Sequence, residues 1–415
     1  MTEQGVVCVE SESIVLDPTG RDVHAEGARL RRSGPVAQVE LPGGVRAWSV
    51  VGHDALKEVL NDERFAKDAH KHWPAFVNGE IGEDFPLIGW VMMDNMTTAD
   101  GADHARLRQL TAKAFTLRRS EEMRPRVERI TAELLDDLAT SGPDEVVDLK
   151  DRFAYPLPTR VICELFGVPE DRRRDVMRGG EVNTETTISH EEAVANVEQW
   201  HQAMYDLVAF KRREPDDDLL SKLIEAQQED GSRLNDSELA GTLHLMLGAG
   251  SETTTNLISK AVVALLTHPD QLALVLSGEV PWSEVIEETL RVESPIAQLP
   301  FRFATEDIDI AGVTIPKGDP VLTGFAASGR DATRHGDDAD RFDITRADKR
   351  HLSFGYGVHH CLGAPLARIE ALVALPALFE RFPDLSLAVP DDQVRPAGTF
   401  LLNGVDTLPV HLKRQ

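Results

Sequence analysis

A mainly α-helical fold with small β-sheets is predicted by three observations on this chain of 415 residues. Apolar residues recur at helical spacing through most of its length. Two pairs of short β-branched runs are each joined by a glycine-containing turn, the pattern of a hairpin. No Gly/Ser-rich or Pro-rich linker, repeat or low-complexity tract divides the chain, so nothing forces a split into separate domains.

The elements follow in chain order. Residues 35–41 and 47–51, separated by Pro42-Gly43-Gly44, read as a first hairpin. Helical periodicity covers residues 126–138 and 191–212. The longest helical pattern starts at Asn235, with Glu238 three residues later as a capping-box partner, and runs to His268 before Pro269. At ~1.5 Å per residue it spans roughly 50 Å, enough to cross a domain. His244, Glu252 and Lys260 interrupt its apolar character and exclude a transmembrane reading. Within it, Gly250 costs about 1 kcal/mol against Ala, and Thr253 can bond back to a carbonyl, which predicts a locally weakened helix able to open a groove. Residues 283–291 form another helix, Ile308-Asp309-Ile310 and Val313-Thr314-Ile315 a second hairpin about Ala311-Gly312, and residues 364–379 the last long helix.

Charge and cysteine usage exclude several function classes. Lys+Arg total 44 against 70 Asp+Glu, a formal charge of -26, which repels phosphate backbones and anionic membrane surfaces. Neither nucleic acid nor a membrane is therefore expected as a partner. The N-terminus has no basic region followed by an apolar run, so no signal peptide or anchor is expected and the protein is placed in the cytoplasm. Three cysteines, Cys8, Cys163 and Cys361, are too scattered for a disulfide framework, and no Cys-x-x-Cys-His run marks covalent haem attachment.

The chemistry concentrates in Phe354-Gly355-Tyr356-Gly357-Val358-His359-His360-Cys361-Leu362-Gly363. Gly355 and Gly357 can take positive φ and let a flat ligand approach the backbone, and Phe354 offers an aromatic face. Gly363 again clears space, and Pro365 suits the first turn of the following helix. Cys361 thus sits at a helix N-terminus, where backbone N–H groups lower a thiol pKa and favour the thiolate that an iron atom needs.

With those residues in that order, the segment resembles the haem-binding loop of the haem-thiolate monooxygenases, the cytochrome P-450 superfamily. The resemblance runs from about residue 35 to the C-terminus. It implies a single cytochrome P-450 domain over residues 1–415, with a short extension at about 1–15, a long central helix over the haem and a cysteine-ligand loop. It implies heme b (iron protoporphyrin IX), with Cys361 as the metal ligand and Ala249, Phe354 and Gly363 against the cofactor. Ala249-Gly250-Ser251-Glu252-Thr253-Thr254 is similar to the family's oxygen-activation segment, with Thr253 as the hydroxyl and Glu252 as the acid that manage protons. His104, Arg108, Arg302 (at the start of a strand) and His359 match the partners of the haem propionates. Glu288 and Arg291 match the family's Glu-x-x-Arg lock, with Arg341 as its third member.

No reductase domain fits in this length, so the resemblance implies electrons from NAD(P)H through a separate ferredoxin and ferredoxin reductase, or their equivalent. A pocket for a small hydrophobic substrate is expected from residues 73–96, from His244, Leu245 and Gly248, from Ile296-Ala297-Gln298-Leu299, and from Phe400-Leu401-Leu402-Asn403. Residues 89–108 are most similar to an actinobacterial branch that includes steroid and polyketide hydroxylases. The expected activity is insertion of one oxygen atom from O2 into a C–H bond of a bulky hydrophobic substrate, with a steroid as the leading candidate. The alternatives are a polyketide, macrolide or fatty-acid hydroxylase, a peroxide-driven haem-thiolate enzyme, and, outside enzymes, a haem-based ligand sensor.

Overall fold

The computed structural model describes residues 13–413, apart from residues 83, 113–114, 143 and 230–233. Helices account for 54% of the chain. Among the described residues the strands form a six-stranded sheet, a three-stranded sheet and a two-stranded hairpin. Cys8 and most of the expected N-terminal extension lie outside the described residues. At the end of that stretch β1 (Ile14–Val15) pairs in parallel with β2 (Val36–Leu41).

The first hairpin forms where the sequence predicts it. β2 runs antiparallel to β3 (Val45–Val50), and Gly43 and Gly44 close the turn at φ of 80° and 71°, a region side chains with a Cβ avoid. The remaining strands of the large sheet are β4 (Phe65–Ala66), β5 (Leu299–Ala304) and β6 (Pro320–Thr323), in the spatial order β1-β2-β3-β6-β5-β4. Arg302 therefore sits in the body of β5 rather than at its start. The second hairpin, Ile308–Ile310 with Val313–Ile315, turns through Ala311 and Gly312, both at positive φ.

The long helix spans Asp236–Thr267. Asn235 accepts a hydrogen bond from the Glu238 N–H, and the Glu238 side chain accepts from the Asn235 N–H, both at 2.9 Å, which is the capping box read from the sequence. It packs against Pro156–Leu165, Glu170–Asn183, His190–Arg213 and Ala364–Arg381, so apolar residues are buried on nearly every side of it. Glycine permits one of these crossings: a Cβ on Gly180 would lie 2.9 Å from the Gly248 Cα.

Two apolar cores flank this helix. One gathers Leu134, Phe153, Leu257, Ile258, Leu375 and Leu378 beneath it. The other gathers Trp200, Met204, Leu207, Leu243 and Leu247 above. Each fully buried Leu or Phe contributes ~1.5–3 kcal/mol, so the helix is fixed by what surrounds it rather than by propensity. Its rigid span is what holds the site below in place.

Candidate active site

A cavity of about 350 Å³ lies between the middle of the central helix and the cysteine loop. The loop is shaped by its own backbone. The Cys361 N–H donates to the Phe354 carbonyl at 2.8 Å, and the Gly355 N–H to the Leu352 carbonyl at 2.6 Å. Gly357, at φ 72°, is required by space as well as by conformation, since a Cβ there would come within 3.0 Å of the Leu60 carbonyl oxygen. At Gly363 a Cβ would meet the Cys361 sulfur at 3.7 Å, an ordinary contact, so this glycine borders the thiol without being forced by sterics. The helix Ala364–Arg381 follows, with Pro365 in its first turn.

Cys361 lines the cavity, and its exposure is to that space, with protein around its other sides. Burial within the protein pushes its thiol up, while the backbone N–H groups of Gly363 and Ala364, then Arg108 and Arg368, pull it down. The helix N-terminus acts as expected, yet desolvation is larger, so the net direction is upward, opposite to the sequence expectation. A metal cation held by this sulfur would reverse that balance by favouring the thiolate. Arg368 stacks over the Phe354 ring at 4.5 Å and pairs with Glu287 at 2.6 Å, fixing the loop's aromatic residue.

Across the cavity, the Thr253 hydroxyl donates to the Ala249 carbonyl at 2.9 Å, the back-bond anticipated from sequence. The helix nevertheless remains α-helical through Gly250. Packing accounts for this glycine, because a Cβ would press to 3.1 Å from the Ile162 side chain. Ala249, Glu252 and Thr253 all line the cavity. Burial raises the Glu252 carboxyl above the usual range, Lys150 opposes this, and Glu181 adds to it. The Tyr155 hydroxyl donates to Glu181, and the Ser251 and Thr159 hydroxyls are 2.6 Å apart.

Positive and imidazole groups collect at one end. Arg108, Arg302, Phe354, His359 and Gly363 line the cavity. His104 does not reach its wall; its ring stands behind His359, with centroids 4.1 Å apart, and its buried Nε2 has no hydrogen-bond partner. Burial, reinforced by Lys67, Arg302, His104 and Arg108, pushes His359 down to about 2. Lys67 was not anticipated. It lines the cavity and donates from Nζ to the Phe301 carbonyl at 2.6 Å. The available signal was weak: a lone lysine after a two-residue strand, meaningful only once that strand is paired.

The Glu288–Arg291 pair is buried completely, and the Arg291 guanidinium also donates to the carbonyls of Gly329, Ala339 and Arg341 at 2.8, 2.7 and 2.9 Å. Arg341 thus joins through its backbone, while the residue itself is exposed. The third guanidinium is that of Arg346, whose Nε lies 3.5 Å from Glu288 and whose side chain is 10% exposed. This corrects the sequence assignment: the turn Asp343 to Arg346 brings round a residue five positions further on.

The expected pocket segments contribute unevenly. Trp90, Val91, Met93 and Met96 line the cavity, whereas Trp73 packs into a cluster with Phe76, Phe85, Phe301 and Phe303. His244, Leu245 and Gly248 line it, as do Ile296, Gln298 and Leu299. Leu401 and Leu402 do so too, but Phe400 joins the core beside Trp73, and Asn403 donates to Glu293 at 3.0 Å. Asn183, Thr184 and Trp200 were missed, because they come from helices whose cavity-facing sides cannot be told from core-facing ones in sequence.

These residues fit an iron porphyrin with carboxylate side chains. A thiol faces a wide slot floored by glycine-rich loop, and Lys67, Arg108, Arg302 and His359 stand at one edge where anions would satisfy them. Among the described residues no group of three His, Cys, Asp or Glu could hold a bare metal ion.

Comparisons with known proteins agree with this geometry. The sequence model of the family Cytochrome P450 matches residues 181–275 and 282–403. The 2-hydroxy-5-methyl-1-naphthoate 7-hydroxylase of Streptomyces carzinostaticus is 58% identical over 96% of this chain and 97% of its own length. The 6-deoxyerythronolide B hydroxylase of Saccharopolyspora erythraea is 43% identical over 93% of this chain and 95% of its own. Among solved structures, CYP154A1 from Streptomyces coelicolor A3(2) superposes with a TM-score of 0.91 at 48% identity, covering 96% of this chain and all of that one.

Proposed function

This chain belongs to the cytochrome P450 family and is a haem-dependent monooxygenase, and we propose that its substrate is polyketide-derived, an aromatic acid of naphthoate type or a macrolide, rather than a steroid. The observation that carries this is the 58% identity, over 96% of the chain, to a protein named for hydroxylating a naphthoate. A second relative is named for acting on 6-deoxyerythronolide B. The cavity wall supports a bulky ligand with few polar groups: Trp90, Met93, Leu245 and Ile296 are interrupted by Asn183, Thr184 and Gln298. Of the steroid and polyketide branch that residues 89–108 resemble, this reading takes the polyketide side.

In this reading Cys361 would hold the haem iron through its sulfur, with Ala249, Phe354 and Gly363 against the ring, Arg108, Arg302 and His359 at its carboxylates, and His104 supporting His359 from behind. When bound, haem supplies reductive activation of dioxygen, with electron density from the thiolate favouring O–O cleavage. The protein's own part is proton management. Burial favours the protonated form of Glu252. The Thr253 Oγ1, one residue on and facing the same cavity, passes a proton inward and takes its replacement from that acid. Proton supply is assigned to these two groups, which face the same cavity. Electrons are assigned to NAD(P)H through a separate ferredoxin and its reductase. Among the described residues no helix is long and apolar enough to cross a membrane; a cytoplasmic location is part of this proposal.

Substrate-induced spectral titration tests the class. Hydroxynaphthoates or macrolides should convert the haem to its high-spin form, with turnover by a surrogate ferredoxin and reductase giving hydroxylated product. A shift only with steroids or fatty acids overturns the polyketide reading. Binding shifts without turnover under any reductant would instead indicate a ligand sensor.

A further inference from the structure

The edge of the large sheet places two cations face to face. β4 pairs antiparallel with β5, with Phe65 opposite Ala304 and Ala66 opposite Phe303. The next step of that register sets Lys67 opposite Arg302. Each reaches across to the other strand's backbone: Lys67 Nζ donates to the Phe301 carbonyl at 2.6 Å, and Arg302 Nη1 to the Phe65 carbonyl at 3.2 Å. Both line the cavity.

Like charges directly across an antiparallel pair destabilise it, and the cost grows where water is excluded. Here burial and the neighbouring Arg302 push the Lys67 ammonium down to about 7, with Asp100 alone opposing them. The Asp100 carboxylate is already engaged, accepting from the backbone N–H groups of Lys67 and Asp68 at 2.8 and 3.0 Å. An ammonium has three donors, and the Phe301 carbonyl takes one. Lys67, Arg108 and Arg302 all line the cavity, so an anion placed at this edge meets donors from all three, and the carboxylate side chains of a porphyrin are such anions.

We propose that Lys67 is a further cofactor-binding residue, whose ammonium, opposite Arg302, holds a haem carboxylate. The contact relieves the repulsion across β4 and β5 and ties the sheet edge to the cofactor. Two other roles are possible for such an ammonium, a structural strut on the Phe301 carbonyl and a grip on a carboxylate of the substrate, and the test separates them.

Wild type, Lys67→Gln and Lys67→Arg are each loaded with haem and with haem dimethyl ester, whose carboxylates carry no charge, and loss to excess acceptor apoprotein is timed. Gln keeps a donor for the Phe301 carbonyl while removing the charge, and Lys67→Met serves if it does not accumulate. With haem, the neutral variant should release its cofactor roughly tenfold faster than wild type, the loss of one charge-assisted hydrogen bond, and Arg should restore retention. With the dimethyl ester, all three proteins should release it at one rate. Equal acceleration with both cofactors overturns the proposal in favour of a strut. Unchanged haem loss, with weakened spectral titration by a naphthoate, overturns it in favour of substrate binding.

Discussion

The Arg291 guanidinium meets the Glu288 carboxylate through two near-parallel hydrogen bonds, Nε to Oε2 at 2.8 Å and Nη2 to Oε1 at 2.7 Å, with neither side chain exposed. They stand three apart on one helix, yet the other hydrogen bonds of their side chains go to backbone groups 38 to 55 residues downstream, at Gly329, Ala339, Arg341 and Asp343 in the stretch leading to the cysteine loop. The pair is therefore the peg on which that loop hangs.

Removing either half strands the other charge in the interior, at about 3–5 kcal/mol. Glu288→Ala and Arg291→Ala should accumulate as haem-free or aggregated protein. Haem content by absorbance and melting by calorimetry decide this, and near-wild-type values in either variant would make the pair dispensable.

The reassignment of the third guanidinium gives a contrast between neighbours. Arg346 lies against Glu288 and donates to Asp338 at 3.0 Å, whereas Arg341 needs only its carbonyl, which any residue supplies. Arg346→Ala should lose about 1–3 kcal/mol of stability, and Arg341→Ala less than about 0.5. Denaturant midpoints would rank the two, and the reverse order would restore Arg341 to the network.

Cys361 carries the prediction for ligation. Reduced protein under carbon monoxide should show the strongly red-shifted band that a thiolate ligand confers, and Cys361→Ser should lack it. A serine variant that retains the band would mean that another group binds the iron.

Thr253→Ala should fold, bind haem and consume NAD(P)H through its redox partners, because the back-bond to Ala249 is a minor part of a well-packed helix. Its product formed per reducing equivalent should fall several-fold while peroxide rises, since a methyl group cannot pass a proton. Product, peroxide and cofactor consumption measured in one reaction check this. Unchanged coupling would reduce Thr253 to a packing residue.

Acid stability should depend on Glu287. Burial pushes its carboxyl up, but hydrogen bonds from His351 and Arg368 outweigh this and hold it at about 2. A depressed carboxylate contributes stability that is complete above its unfolded pKa, about 4.5, and is lost as pH falls toward 2. Glu287→Gln should flatten the fall of melting temperature across that window. An identical slope in wild type and variant would show that other carboxylates dominate.

Local signals survived folding well. The capping box of Asn235 and Glu238, the glycine turns at Gly43-Gly44 and Ala311-Gly312, and the backbone of the cysteine loop are short-range interactions, with partners within a few residues. Helix ends fell within two residues of expectation at Arg124–Leu138, His190–Arg213, Trp282–Val292 and Ala364–Arg381. Pocket segments read as whole stretches fared worse, because Trp73, Phe400 and Asn403 turn to partners that sequence spacing does not reveal.

By itself, the sequence determined that the chain is mainly helical, that one long helix crosses it, and that a cysteine stands between a glycine-rich loop and a helix start. These follow from periodicity, caps and backbone geometry, which act over a turn or two of chain. The tertiary structure alone decided that Arg346 rather than Arg341 closes the lock, that His104 stands behind His359, and that Lys67 faces Arg302 across a strand pair. Each of these depends on burial and charge contributed by segments far apart in sequence, and electrostatic energy in a low-dielectric interior is set by distance in space, which residue order does not encode.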